Sequence, residues 1–492
     1  MGNAVKKRKF KVYFSDYFDV TPQAISDYGA FNISLINDLP LFIDPFLLFN
    51  SENEEYQRLH DEIIKYVRFL KDHSNTELPK GLLKSWFEFS EIKENWLGYS
   101  KSGNSGRGLG PEFARALKVN LTTVFRNFGE ESGTGSHLEK LTLVKNGVGR
   151  DQISDLTCNL ICGFLAEYTE TFALKNIAKE KLAKFAVPKV SFNYKTQSWS
   201  SKQFWLPKHG NQFVLLTPTE ILTKDEAWIS HKGFVEDFSA ILGSVENTQL
   251  RSQIDNYFHA SLPLNPDKEG KEKAIEMVIA KYPLLLDHYI FLKEQDSNGA
   301  IKNSDEKVGE ARTLFLDNLE KLIELLDSKT KFYETKINSL SEALARVDFL
   351  KHVIEKQDGY RLFYVKGKPI RKESDLQIMF KLTWYASAFD SNAEVNNGRG
   401  PADFIVSKGS ADKTVVELKL AKNTHLEKNL LKQAEIYADA SRATHPPVKV
   451  ILFFTDEERA KVNLLLMKHS LNKRKEIVLI DATAGKASAS KA

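Results

Sequence analysis

The chain has 492 residues, of which 42% are hydrophobic and 27% are charged. At about 100–200 residues per domain this length predicts two to four domains, and the apolar fraction excludes a wholly disordered protein. No stretch reaches the roughly 20 apolar residues that cross a bilayer. The basic start of the chain also lacks the apolar core of a signal peptide. We therefore expect a soluble, cytoplasmic protein without a membrane partner.

The net charge of +4 is unevenly distributed along the chain. Residues 361–492 contain 23 Lys and Arg against 15 Asp and Glu, a net charge of +8, so the rest of the chain carries −4 (4 − 8). A basic C-terminal quarter indicates that any polyanion, such as nucleic acid, is bound at this end.

Cys158 and Cys162 lie four residues apart in an apolar helical pattern, and the chain has no other cysteines. Two cysteines exclude a disulfide framework and a zinc site built on thiolates. We expect both to be buried free thiols.

Residues 1–235 are predicted to form a mixed α/β region that recognises a substrate, a trigger or a protein partner. Turn residues and periodic apolar positions divide this region into elements. We predict a short strand at 37–44 that ends in an Asp44-Pro45 turn, helices at 54–71, from 111 onwards and at 151–178, and hairpins at 190–216.

Residues 236–358 are predicted to be helical, because apolar side chains recur at helical spacing among Lys and Glu residues. Within this region, residues 296–305 are predicted to form an exposed loop. The pattern fits a subdomain packed on its neighbours, a spacer, or an arm that joins copies into a homo-oligomer. One predicted helix face carries Phe315, Leu319, Leu322 and Leu326.

Residues 359–483 are predicted to form a third domain, followed by a flexible small-residue tail at 484–492. The predicted order is α-β-β-β-α-β, with one more strand at the end. The elements are a helix at 373–388, strands at 393–396, 402–406 and 414–420, a helix at 427–440, and strands at 448–454 and 476–480.

Two charged side chains, Glu417 and Lys419, lie two residues apart in the predicted strand 414–420. Because side chains alternate along a strand, both project to one face. If the strand carrying Asp403 pairs beside them, two carboxylates and one ammonium meet at a single spot. Carboxylate oxygens bind Mg²⁺, and a lysine beside the metal activates water or stabilises charge during phosphodiester hydrolysis.

The sequence around these residues resembles the signature of the PD-(D/E)XK nuclease superfamily. Gly400-Pro-Ala-Asp403 is followed by Val-Glu417-Leu-Lys419, with the glutamate fourteen residues after the aspartate. The sequence departs from a literal Pro-Asp, because Ala402 lies between Pro401 and Asp403.

Further features extend this resemblance over about 115 residues. Glu373 lies in the preceding helix, where many members carry an additional acidic residue. Gln433-x-x-x-Tyr437 matches an element of the branch that resembles the nucleases of recombinational-repair complexes. The resemblance implies a restriction-endonuclease-like core that binds Mg²⁺ or Mn²⁺. It implies metal ligation by Asp403 and Glu417, water activation or charge stabilisation by Lys419, and support from Glu373, Gln433 and Tyr437.

Basic residues surround this predicted site. Arg399, Lys422 and Lys428 are placed to contact phosphates, which proteins use to hold nucleic acid without reading its sequence. Each of them is also explained as part of a solvated rim.

A second cluster follows a glycine turn at residues 147–149 and consists of Arg150, Asp151 and Asp155 at the start of a predicted helix. Helix capping and the helix dipole explain acidic residues at this position. The alternative is a phosphate, nucleotide or metal contact.

The sequence therefore predicts a metal-dependent nuclease that cleaves DNA, with RNA as the second choice. The arrangement resembles stand-alone prokaryotic restriction or antiphage-defence nucleases. One alternative is a catalytically idle nuclease fold that binds nucleic acid or acts as a scaffold. Another places the enzyme in the N-terminal region and leaves the C-terminal domain as its nucleic-acid anchor.

Overall fold

The computed structural model describes residues 11–98, 109–123, 128–129, 135–143, 150–224, 227–330, 338–385, 404–407, 413–433 and 445–484. The protein is of the mixed α/β class and contains several separate sheets. In this described part of the chain, no helix combines the length and the apolar character needed to cross a membrane.

The N-terminal region is a helical layer around a large apolar core, with two small sheets. Side-chain caps begin several of its helices: Thr21 accepts from Ala24 N, and Asn53 accepts from Glu55 N. The helices are α1 (Phe14–Phe18), α2 (Pro22–Asp27), α3 (Pro45–Phe49), α4 (Glu54–Asp72), α5 (Lys80–Phe87), α6 (Pro111–Thr123), α7 (Lys140–Leu143), α8 (Arg150–Leu160) and α9 (Cys162–Asn176). Short 3-10 turns lie at Lys93–Asn95, Lys179–Lys181 and Thr219–Ile221.

One of the two sheets, the β1–β5 ribbon, consists of β1 (Leu41–Ile43) and β5 (Leu222–Lys224). The strands are antiparallel, and Leu41 is paired with Lys224. The predicted Asp-Pro turn is confirmed: Asp44 follows β1, and its Oδ1 accepts from Phe46 N at 3.1 Å to cap α3.

The predicted hairpins are confirmed and begin earlier than expected. They consist of β2 (Leu182–Asn193), β3 (Ser198–His209) and β4 (Gln212–Phe213). The strands are antiparallel in the order β2-β3-β4. Cys158 and Cys162, on α8 and α9, are buried free thiols as predicted.

The central region is helical, as predicted, but residues 296–305 are not an exposed loop. Asp296 precedes α14 and residues 297–305 belong to it; Ala300 and Ser304 are buried, and Ser304 Oγ donates to Leu222 O at 2.6 Å. This tertiary contact overrides the local turn-forming composition. The helices are α10 (His231–Gly243), α11 (Thr248–Ser261), α12 (Lys268–Lys281), α13 (Leu284–Gln295), α14 (Ser297–Arg312), α15 (Leu319–Lys329) and α16 (Ser339–Lys356), with a π-helical turn at Thr313–Asn318.

The predicted apolar face of the central helices is confirmed, and it is used inside the chain. Phe315, Leu319, Leu322 and Leu326 are all fully buried in the main core. A homo-oligomer through this face therefore has no structural support.

The C-terminal region contains a four-stranded sheet in the order β11-β10-β9-β8. β8 is antiparallel to β9, whereas β9, β10 and β11 are parallel to one another. The predicted strand 393–396 and the predicted tail from residue 485 lie outside the described residues. The strands are β6 (Tyr364–Val365), β7 (Lys368–Pro369), β8 (Phe404–Ser407), β9 (Lys413–Leu420), β10 (Val448–Phe453) and β11 (Ile477–Asp481). A 3-10 turn at Gly359–Phe363 begins the region. The helices are α17 (Glu373–Tyr385), α18 (Leu426–Lys428) and α19 (Asp456–Lys468), and α18 continues into a π-helical turn at Asn429–Gln433.

Leu322→Ala tests whether the central face is core or interface. Because Leu322 is fully buried, we expect the substitution to lower the free energy of unfolding by about 2–5 kcal/mol. Leu264→Ala, at a fully exposed position, is the control and should cost less than about 0.5 kcal/mol. Denaturant unfolding at two protein concentrations measures both effects. A wild-type midpoint that rises with protein concentration would instead support a dimerisation arm.

Candidate active site

Strand β9 presents Glu417 and Lys419 on the same face, as the alternation predicted. Val416 and Leu418, on the other face, belong to the main core. The charged face is also covered, because Leu426 and Leu430 pack over it against Ile451 of β10. Glu417 is consequently only 2% exposed and Lys419 only 8%. The side chains of Glu417 and Lys419 are thus both almost completely shielded from solvent.

Glu373, the first residue of α17, contacts this face of β9. Its Oε1 lies 3.0 Å from Lys419 Nζ. Its Oε2 accepts from Asn423 Nδ2 at 2.7 Å and from Leu420 N at 3.4 Å. The Glu373 carboxylate is thus held by one ammonium and two N–H donors. The structure thereby joins two predicted site residues that are 46 positions apart (419 − 373).

The other predicted site residues lie at the edge of the described residues or outside them. Asp403, Tyr437 and Arg399 lie outside the described residues. Gln433 ends the π-helical turn Asn429–Gln433, and only its backbone is described. Asp403 is bonded to Phe404, the first residue of β8, which is paired with Val416 beside Glu417.

Lys449 of β10 is a site residue that the sequence analysis missed. It is paired with Glu417 across the parallel strands, so the two side chains share a face. Its side chain is buried, and its ammonium donates to the carbonyl of Leu430 in the π-helical turn. A lysine inside an apolar run was the only signal in the sequence, and its meaning depends on the strand register.

The two described members of the predicted phosphate-binding set, Lys422 and Lys428, differ in their surroundings. Lys422 Nζ donates to Ile370 O at 3.0 Å, just before α17, and partial burial lowers the pKa of Lys422. Lys428, at the end of α18, is exposed. Their contact with nucleic acid stays a prediction.

The second predicted cluster lies at the start of α8. Helix α8 begins at Arg150, but the side chains of Arg150 and Asp151 lie outside the description, and Asp155 is half-buried. Between them, Ser154 Oγ accepts from Ile43 N at 2.9 Å and ties α8 to β1. A ligand-binding role for the cluster stays a prediction.

A buried carboxyl pair, Asp44 and Glu139, also escaped the sequence analysis. Asp44 accepts from Trp228 N at 2.8 Å and from Phe46 N at 3.1 Å, and it is hydrogen-bonded to Glu139. Burial is the main cause that raises the pKa of both groups, and the Asp44 charge adds to it for Glu139. Since the backbone donors favour the charged form of Asp44, Glu139 is the member that keeps a proton.

The donor chemistry at β9 suits a hard cation. Within the part of the chain that the structure describes, no group of three or more His, Cys, Asp or Glu side chains is arranged to hold a metal ion. Of the predicted ligand pair Asp403 and Glu417, only Glu417 lies in the described part of the chain. Mg²⁺ typically takes one or two protein carboxylates and completes its shell with water and phosphate oxygens, so this pair fits it.

Comparison with known proteins finds two family models that match parts of the chain. Residues 19–230 match the model described as domain of unknown function DUF8370, and residues 339–456 match domain of unknown function DUF8371. The second match begins at α16, before the predicted domain boundary at 359. No curated protein and no solved structure matches the chain.

The carboxyl pair predicts a pH-dependent stability. Because the folded pKa of Glu139 is raised, its contribution is fully present below the unfolded pKa, about 4.3, and is lost as the pH rises through the folded value. Glu139→Gln keeps a donor towards Asp44 without an ionisable proton. At pH 8 we expect it to raise the free energy of unfolding, because the variant no longer has a buried carboxyl group whose ionisation the fold opposes.

Thermal melts of wild type and Glu139→Gln at pH 5 and pH 8 measure this effect. The gap between the two proteins should be larger at pH 8. An equal gap at both pH values would show that Glu139 is not the protonated member of the pair.

Proposed function

We propose that residues 359–483 form a metal-dependent nuclease domain that hydrolyses phosphodiester bonds of DNA, with RNA as the second choice. The observation that carries the proposal is the contact of buried Lys419 with half-buried Glu373 on the same face of β9 as Glu417. Two ionisable groups on one covered strand face are costly to a fold unless they are paired or functional.

The order of elements supports this proposal. Helix α17 precedes β8 and β9, which are antiparallel, and the helical segment 426–433 leads to β10, which is parallel to β9. This α-β-β-α-β succession fits part of the α-β-β-β-α-β order that the resemblance to the PD-(D/E)XK superfamily implies, and the first predicted strand, 393–396, lies outside the described residues. It is a restriction-endonuclease-like core in our interpretation.

Each site residue has a role in this proposal. Asp403 directly precedes Phe404 in the sequence, and Phe404 is paired with Val416, the residue before Glu417. Asp403 and Glu417 would hold Mg²⁺ or Mn²⁺, which polarises a phosphoryl oxygen and lowers the pKa of bound water. Lys419, held beside Glu373, orients the attacking water or offsets negative charge on the reacting phosphate.

Charge and architecture support the substrate class and the cellular role. The net charge of +8 over residues 361–492 attracts a polyanion, and exposed Lys428 can contact a phosphate near the site. We propose that the protein is a cytoplasmic, prokaryotic restriction or antiphage-defence nuclease. Its N-terminal region would sense a trigger, a protein partner or a feature of the substrate.

One observation favours the alternative of an idle, scaffolding nuclease fold. Glu417 is 2% exposed beneath Leu426 and Leu430, so a phosphate reaches it only if the segment 426–433 gives way. The presence of Asp403, Glu417 and Lys419 together in the sequence favours catalysis.

Cleavage of nucleic acid by the full-length protein tests the proposal. Linear, circular and single-stranded DNA, and RNA, are incubated with Mg²⁺, Mn²⁺ or EDTA. We expect metal-dependent cleavage that falls at least about 100-fold in Glu417→Gln and in Lys419→Met, because each substitution removes a group that acts in the transition state.

The matched controls are Glu457→Gln and Lys461→Met on the exposed side of α19, which should cleave at the wild-type rate. A folded wild-type protein that cleaves nothing would favour the idle fold. Cleavage that survives Glu417→Gln but is lost in Asp151→Asn/Asp155→Asn would move the chemistry to the N-terminal region.

A further inference from the structure

Helix α17 is joined to the N-terminal region by two buried polar contacts. Lys224 Nζ lies 2.9 Å from Asp375 Oδ2, and Lys381 Nζ donates to Asn37 Oδ1 at 2.8 Å. All four side chains are buried. Buried charged groups need partners, so these contacts select one arrangement of α17 against the N-terminal region.

The two partners of α17 belong to one rigid feature, the β1–β5 ribbon and the residues that lead into it. Asn37 lies four residues before β1, and Lys224 ends β5 opposite Leu41. The ribbon is itself fixed on two sides, since Ser304 of α14 donates to Leu222 O and Ile43 N donates to Ser154 of α8.

The first turn of α17 also contacts the candidate site. Glu373 and Asp375 are two residues apart, and at 3.6 residues per turn they point about 200° apart. Glu373 therefore faces Lys419 and Asn423 while Asp375 faces the ribbon. A displacement of this turn at Asp375 would therefore also move Glu373.

We propose that Asp375 and Lys381 are positioning residues through which the N-terminal β1–β5 ribbon fixes Glu373 against Lys419. The N-terminal region is then part of the scaffold of the nuclease-like site as well as a region that recognises a trigger or partner. This inference rests on the proposed function of that site. Its test nevertheless includes a readout that does not depend on catalysis.

The test removes the ion pair without leaving a buried charge. Lys224→Met alone leaves the Asp375 carboxylate without its ammonium and should lower the melting temperature. The double variant Lys224→Met/Asp375→Val replaces both charges by apolar groups and should melt close to wild type, as buried pairs replaced by packed apolar residues often do. Lys224→Arg keeps the cation and is the conservative rescue.

In the cleavage assay we expect the double variant to lose at least tenfold in kcat with KM within twofold of wild type. Nucleic acid would still bind, but Glu373 would no longer hold Lys419 in place. Lys224→Arg should retain most of the wild-type kcat. The control is Lys232→Met/Glu236→Leu, which removes an exposed ion pair on α10 and should leave kcat unchanged. A double variant with wild-type kcat would overturn the proposal.

Hydrogen exchange followed by mass spectrometry gives the independent readout. Amides of residues 373–385 should exchange faster in Lys224→Met/Asp375→Val than in wild type, whereas those of α19 should not change. Unchanged exchange at 373–385 would overturn the positioning role. If wild type cleaves no nucleic acid, the proposed function fails while the exchange data still decide this inference.

Discussion

The ion pair between Lys419 and Glu373 joins the four-stranded sheet to helix α17, and the rest of the candidate site is arranged around it. Both side chains are largely removed from water, so their desolvation has to be offset by short, well-directed contacts. The 3.0 Å contact and the Asn423 hydrogen bond supply these. Loss of Glu373 would leave the buried Lys419 ammonium without this partner, which constrains α17, β9 and the loop after β9 to one geometry.

This constraint extends across the chain, because α17 lies inside one family match and contacts residues of the other. Lys224 lies inside the DUF8370 match and Asp375 inside the DUF8371 match, and the two side chains form a buried ion pair. The helices between the two matches also take part, since Ser304 of α14 anchors the β1–β5 ribbon. The N-terminal and C-terminal regions are thus packed together through specific polar contacts as well as through a common apolar core.

Features that depend on local spacing could be predicted from the sequence. The two-residue period of a strand is sufficient to put Glu417 and Lys419 on one face, and the Asp44-Pro45 turn follows from cap and turn chemistry. The predicted helix containing Glu373 begins at that residue in the structure. These predictions need no knowledge of which segments meet in space.

Features that depend on distant contacts could not be predicted. Lys449 becomes a neighbour of Glu417 only through the register of β10 against β9, which a single sequence does not reveal. Asp44 and Glu139 are 95 residues apart (139 − 44) and meet only in the folded core. Residues 296–305 have the composition of a loop, yet burial of Ala300 and the Ser304 contact make them helical.

A crystal of the full-length protein grown with Mn²⁺ shows whether Asp403 and Glu417 bind a metal, because anomalous scattering locates the metal independently of turnover. We predict a peak about 2.0–2.2 Å from carboxylate oxygens of both Asp403 and Glu417. An Mn²⁺ peak held elsewhere, for example at Asp151 and Asp155, with none at Glu417, would contradict it.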